Sequence, residues 1–98
     1  MAETIFTPVE FEEGFKRGEE DVVKVQVRRP AAGELRGLAV LDILRQEYAA
    51  VAKLAPRVTM PVITEADVAA LSPADFMTLG SAIADFFMSR QAREAAGL

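Results

Sequence analysis

Carboxylates are the most plentiful side chains in this sequence that could do chemistry. Glu10, Glu12 and Glu13 form one cluster, and Glu19, Glu20 and Asp21 form another. General acid–base work or cation binding would need them to converge in a dry pocket with displaced pKa values. Scattered over a polar stretch with two glycines, they read instead as solvated charge. Arg28-Arg29 could hold a phosphate or a partner's carboxylate. In an acidic chain with no other basic cluster, they read as an ion pair with Glu34 or as a solvated strand end. Gly33 and Gly37 lack the lysine and hydroxyl that a phosphate-binding loop requires. The 98 residues include no His, Cys or Trp, so the usual general base, thiolate chemistry and most transition-metal sites are missing. The expectation is no catalytic residue, no cofactor, no metal site and no enzyme.

Three regions of different periodicity would position these groups. Across residues 4–29 the pattern is that of a β-hairpin. Val23, Val25 and Val27 alternate with Lys24, Gln26 and Arg28, which predicts valines facing a core and polar residues facing water. Ile5 to Phe11 is a second strand-forming stretch, and Pro8 within it suits an edge strand or a strand start. Residues 12–21 read as a long, mobile, charged connection. Pro30 ends the strands. Leu38, Leu41, Leu44, Tyr48 and Val51 then recur at helical spacing, predicting one helix from about Gly33 to Leu54, stopped by Pro56. Residues 57–63 read as an extended apolar connector. Thr64 and Asp67 form a capping box for a short helix that ends near Leu71. Ser72, Pro73 and Asp75 mark the start of a last helix, with Phe76, Leu79, Ile83, Phe86 and Phe87 at helical spacing. Gly80 predicts close approach of the Leu41/Leu44 face. The fold class is therefore α+β: one domain over residues 1–98, with a hairpin at 4–29, a helical part at 31–88 and a frayed tail at 89–98.

The net charge is -4, with 15 acidic and 11 basic residues. Neither half of the chain hides a basic excess, so nucleic acid is not an expected partner. No apolar run approaches the ~20 residues of a membrane span, and MAETIF lacks the pattern of a signal peptide. The chain reads as cytosolic, with no membrane partner.

The order of motifs resembles that of the phage tail assembly chaperones grouped with tail protein E of contractile-tailed phages and prophages. Residues 25–38, VQVRRPAAGELRGL, resemble the family's strand-to-helix signature, and Leu54-Ala-Pro-Arg-Val-Thr59 resembles its "LLPRIT" segment. Thr64–Leu71 resembles "LTEAEVAAL", Ser72–Phe76 the "DPAD" helix start, and Ile83–Phe87 the closing "FF". Ala31 departs from the family, in which a threonine often stands there. The resemblance implies a non-catalytic late protein, made in the cytoplasm of the bacterial host during virion morphogenesis. It would bind the tape measure protein before the tail tube polymerises and be absent from the finished virion. It implies structural roles for Arg29, Pro30, Gly33, Glu34, Leu35, Pro56 and Arg57.

The apolar faces carry the strongest physical signal. A hairpin and three helices leave little with which to cover them, and uncovered apolar surface binds partners or another copy. The expected partner-binding residues are Leu41, Leu44, Tyr48, Phe76, Leu79, Ile83 and Phe87, and a homo-oligomer is a second possible outcome. Two other readings share the absence of catalytic residues: a tube or baseplate subunit retained in the virion, and a small acidic antitoxin-like regulator.

Overall fold

Residues 6–87 are described in the computed structural model of the chain. Strand β1 (Phe6–Arg17) runs antiparallel to β2 (Glu20–Arg28). The chain reverses at Gly18 and Glu19. Gly18 takes a φ of 65° at the first central position of this two-residue turn, where glycine enters the left-handed region without a steric penalty. The charged stretch 12–21, expected as a long connection, is thus strand on both sides of the turn. A third strand, β3 (Thr59–Met60), falls where a plain connector was expected. It pairs antiparallel with β2 through Gln26↔Met60 and Val27↔Thr59, giving the order β1-β2-β3. Pro8 lies on the edge strand β1, as its missing N–H requires.

Val9, Phe11 and Phe15 of β1 and Val25 and Val27 of β2 are buried. Val23, expected beside them, is 44% exposed, and half-buried Val22 packs on the core in its place. The ladder explains the swap. Its register passes from Glu10↔Lys24 to Phe15↔Val22, so residues 11–14 of β1 lie opposite Val23 alone. Such a bulge reverses which residues face the core, because the side-chain period in a strand is two.

The long helix expected from Gly33 to Leu54 is three pieces. A 3-10 turn at Ala32–Leu35 is followed by α1 (Val40–Leu44) and α2 (Tyr48–Val58). Ala31 has no side-chain acceptor to cap a helix start, and only Glu34 helps, accepting from the Ala31 N–H at 2.9 Å. Gly37 at φ 79° and Gln46 at φ 56° then break the helical path on either side of α1. Pro56 does not stop α2 but sits inside its last turn, where a missing N–H removes one backbone bond. The Thr59 hydroxyl closes the helix end, donating to the Ala55 carbonyl and accepting from the Ile63 N–H, both at 2.8 Å.

The two remaining helices start where their caps predict. Helix α3 (Glu65–Ala70) has the reciprocal Thr64–Asp67 box at 3.0 and 3.1 Å. Helix α4 (Pro73–Asp85) has Ser72 accepting from the Asp75 N–H at 3.2 Å. The buried side chains of sheet and helices form one cluster, with Ile43, Leu54, Ile63, Leu79 and Ile83 fully enclosed. The architecture is α+β. Residues 4–5 of the expected hairpin, residue 88 of the expected helical part and the tail 89–98 lie outside the described residues.

Candidate functional site

One polar side chain organises the helical half against the hairpin. Asp75, in the first turn of α4, is only 1% exposed. Its Oδ1 accepts from the Glu12 N–H at 2.7 Å, and its Oδ2 accepts from the Glu13 and Gly14 N–H groups at 3.0 Å each. These amides belong to the bulge, which has lost its ladder partners on β2. Successive N–H groups in such a bend make a concave anion site, here filled by the protein's own carboxylate. Burial pushes the Asp75 carboxyl up, but the three amides and the Ser72 hydroxyl outweigh it and hold it below the ordinary range. Gly14 completes the fit. Its φ is 71°, and a Cβ there would lie 2.0 Å from the Val22 carbonyl oxygen. The sequence pattern marked Asp75 as a capping acid, but its helix shares no local signal with residues 12–14.

With Asp75 turned toward the hairpin, Met77 faces outward and half-buried Phe76 packs against the edge of the core. Phe76 stacks on Tyr48 at the start of α2, with ring centroids 5.4 Å apart and planes 28° apart. Tyr48, Val68, Ala69, Leu71, Pro73, Phe76 and Met77 line an open, mostly apolar groove of ≈ 390 Å³ where α2, α3 and α4 meet. Tyr48 is 51% exposed and Met77 62%. Such a groove suits the apolar face of another helix.

The expected contact residues separate into three groups. Leu41, Leu44 and Tyr48 are exposed, but only Tyr48 lines the groove. Phe76 and Phe87 are half-buried. Leu79 and Ile83 are fully buried, so they are core and not contact surface. The break at Gln46 rotates α1 relative to α2, so Ile43, not Leu41 or Leu44, enters the core. Gly80 does permit a close approach, but of Gln46, whose Oε1 lies 3.0 Å from where a Cβ would be. Met77 and the Val68/Leu71 side of α3 escaped the sequence reading, although Met77 beside Phe76 was a visible signal.

The motif around residues 28–57 forms a latch. Arg28 grips Glu34 with both terminal nitrogens, one at 2.6 Å, and also donates to the Arg57 carbonyl at 2.7 Å. Arg57 Nη1 donates to the carbonyls of Glu34 at 2.5 Å and Arg36 at 3.1 Å. The Arg28 guanidinium holds the Glu34 carboxyl below its usual range. Leu35 packs on the core beside this latch, Pro30 and Pro56 are half-buried, and Arg29 and Gly33 are exposed. At the hairpin's other end, Arg17 reaches Asp67 and the Val62 carbonyl. Burial pushes the Asp67 carboxyl up, but Thr64 and Arg17 together hold it below its ordinary value. The carboxylates of 10–21 are exposed along the hairpin and do not converge.

Comparison with known proteins agrees with the motif order. The family described as "Phage tail assembly chaperone proteins, E, or 41 or 14" matches residues 8–88. "Tail assembly protein E" of Escherichia phage P2 is 38% identical over 71 residues, covering 72% of this chain and 78% of that protein. "Tail assembly protein E'" of the same phage is 36% identical over 74 residues, covering 76% of this chain. The chain spans about half, 52%, of the length of that second relative. No solved structure matches the chain. With most of its length inside the family match, the chain belongs to the phage tail assembly chaperones.

Proposed function

We propose that this chaperone holds amphipathic helices of the tail tape measure protein in the groove between α2, α3 and α4. The observation that carries this reading is the exposure of Tyr48 and Met77 beside half-buried Phe76. Apolar side chains gathered in a concave surface mark a contact site more strongly than scattered ones do. A client of amphipathic helices offers the complementary face, and the acidic charge of -4 favours a basic client and keeps the loaded complex soluble. The role is non-catalytic. It belongs to the host cytoplasm during tail assembly and ends before the virion is complete.

The test is co-expression with a tape measure fragment, reading the fraction of client left in solution. The substitutions Tyr48→Glu and Met77→Glu together should return the client to the pellet. Both sites are exposed, so the circular dichroism of the variant should match the parent and its melting temperature should fall only by the loss of the Tyr48–Phe76 stack. A folded double variant that still keeps the client soluble would refute the groove. Leu79 and Ile83 are unsuitable for this test, since placing a charge at a fully buried site unfolds the domain rather than removing a contact. Mass spectrometry of purified virions should find none of the chain.

A further inference from the structure

Arginines dispersed in the sequence meet at one end of the sheet. Arg28 ends β2, Arg57 lies in the last turn of α2, and Arg36 follows the 3-10 turn. Gly33, Glu34, Arg36 and Arg57 line an open cavity of ≈ 470 Å³. The one carboxylate of that lining, Glu34, is held by Arg28. Arg36 binds the Gly33 carbonyl through Nε alone, at 3.3 Å. Arg57 uses only Nη1, on two carbonyls. Among the described residues, the terminal nitrogens of Arg36 and Nη2 of Arg57 therefore have no acceptor.

The opposite end of the hairpin has the opposite charge. Residues 10–21 hold six carboxylates against Lys16 and Arg17. Lys16 pairs with Asp21 at 3.3 Å, and Arg17 is drawn away to Asp67. Glu19 and Glu20, at the turn, are exposed and have no ion pair among the described residues. From Glu20 to Arg28 the strand covers about 26 Å at ~3.3 Å per residue, so the turn cannot reach Arg36 and Arg57 of its own chain, which lie at the Arg28 end.

We propose that the cavity of Arg36 and Arg57 receives the Glu19-Glu20 turn of a second copy of this chain. Guanidinium groups with free terminal nitrogens bind carboxylates through paired, charge-assisted hydrogen bonds. The net charge of -4 works against a phosphate backbone as the occupant. The contact joins two different surfaces, so each added copy presents the same pair of ends again, and the array extends by repetition. It involves neither Tyr48 nor Met77, so it stands or falls separately from client binding.

Sedimentation velocity on the full chain tests this. At low ionic strength the weight-average mass should rise with protein concentration. Raising salt from about 50 mM to about 500 mM should lower the apparent association constant by roughly tenfold or more, because exposed ion pairs are screened. The variant Arg36→Glu and the double variant Glu19→Arg with Glu20→Arg should each sediment as monomers. Their equimolar mixture should form a complex, because the first keeps its acidic turn and the second keeps its arginine cavity. The milder changes Arg36→Gln, and Glu19→Gln with Glu20→Gln, should weaken association in the same order, with circular dichroism confirming the fold. A parent chain that stays monomeric at every concentration and salt overturns the proposal, as does undiminished association of the Arg36→Glu variant. A monomer that binds an oligonucleotide through Arg36 and Arg57 would instead assign the cavity to phosphate.

Discussion

Asp75→Asn is nearly isosteric and removes a single charge, so it isolates what the carboxylate does. In the parent, three backbone N–H groups converge on two oxygens at 2.7, 3.0 and 3.0 Å. An asparagine can offer only one oxygen. Whichever way its amide turns, its NH2 group faces at least one of these donors, which is then orphaned and opposed. Hydrogen bonds to a charged group contribute about 1.5–3 kcal/mol each, and an orphaned buried donor costs a similar amount. The Gly14 amide is fully buried, whereas those of Glu12 and Glu13 are partly so and can turn to water. The expected loss is therefore about 3 kcal/mol for Asp75→Asn and about 4 kcal/mol for Asp75→Ala. Urea unfolding followed by circular dichroism reads this directly. With a slope near ~1 kcal/mol per molar for a small domain, the Asp75→Asn midpoint should fall by about 3 M. The pH dependence adds a second check. The folded carboxyl lies below its ordinary value, so its contribution is present above the unfolded carboxylate pKa of ~3.9. It is lost as pH falls through the lower folded value. The gap between parent and variant should thus be full at neutral pH and close in strong acid. A midpoint shift under about 0.5 M at neutral pH, or a gap that does not change with pH, would refute the role given to Asp75.

Two further perturbations follow from the same geometry. Gly14→Ala places a Cβ against the Val22 carbonyl at a φ of 71° and should cost more than about 2 kcal/mol, read as a lowered melting temperature, whereas Gly18→Ala, with open space around it, should cost less. A double-mutant cycle with Arg28→Met and Glu34→Gln should give a coupling of about 1–2 kcal/mol at neutral pH for this half-buried pair; since Glu34 titrates below its ordinary value, the coupling should fade as pH drops through that value.

Local chemistry in the sequence determined a good deal of this protein. Thr64-Glu-Ala-Asp and Ser72-Pro-Ala-Asp favour helix starts by themselves, because a cap is satisfied by amides two or three residues away. The alternation at Val25 and Val27 is equally local, and so is the Arg28–Glu34 pairing, six residues apart. The ordered motifs also sufficed to point to the tail assembly chaperones. Tertiary structure decided what depends on distant partners. Residues 12–21 look like a loop until Asp75, 61 residues beyond Gly14, supplies the acceptors that let β1 bulge and continue. Val23 looks like core until that bulge shifts the register by three residues, an odd number that turns the strand over. Leu41, Leu44 and Tyr48 look like one face of a helix until Gln46 enters the left-handed region, and no propensity of glutamine announces that. The same pattern of i and i+4 spacing gave Leu79 and Ile83 to the core and left Leu44 and Tyr48 at the surface. Periodicity reports that a face is apolar, but what covers the face is set by how the other elements pack against it.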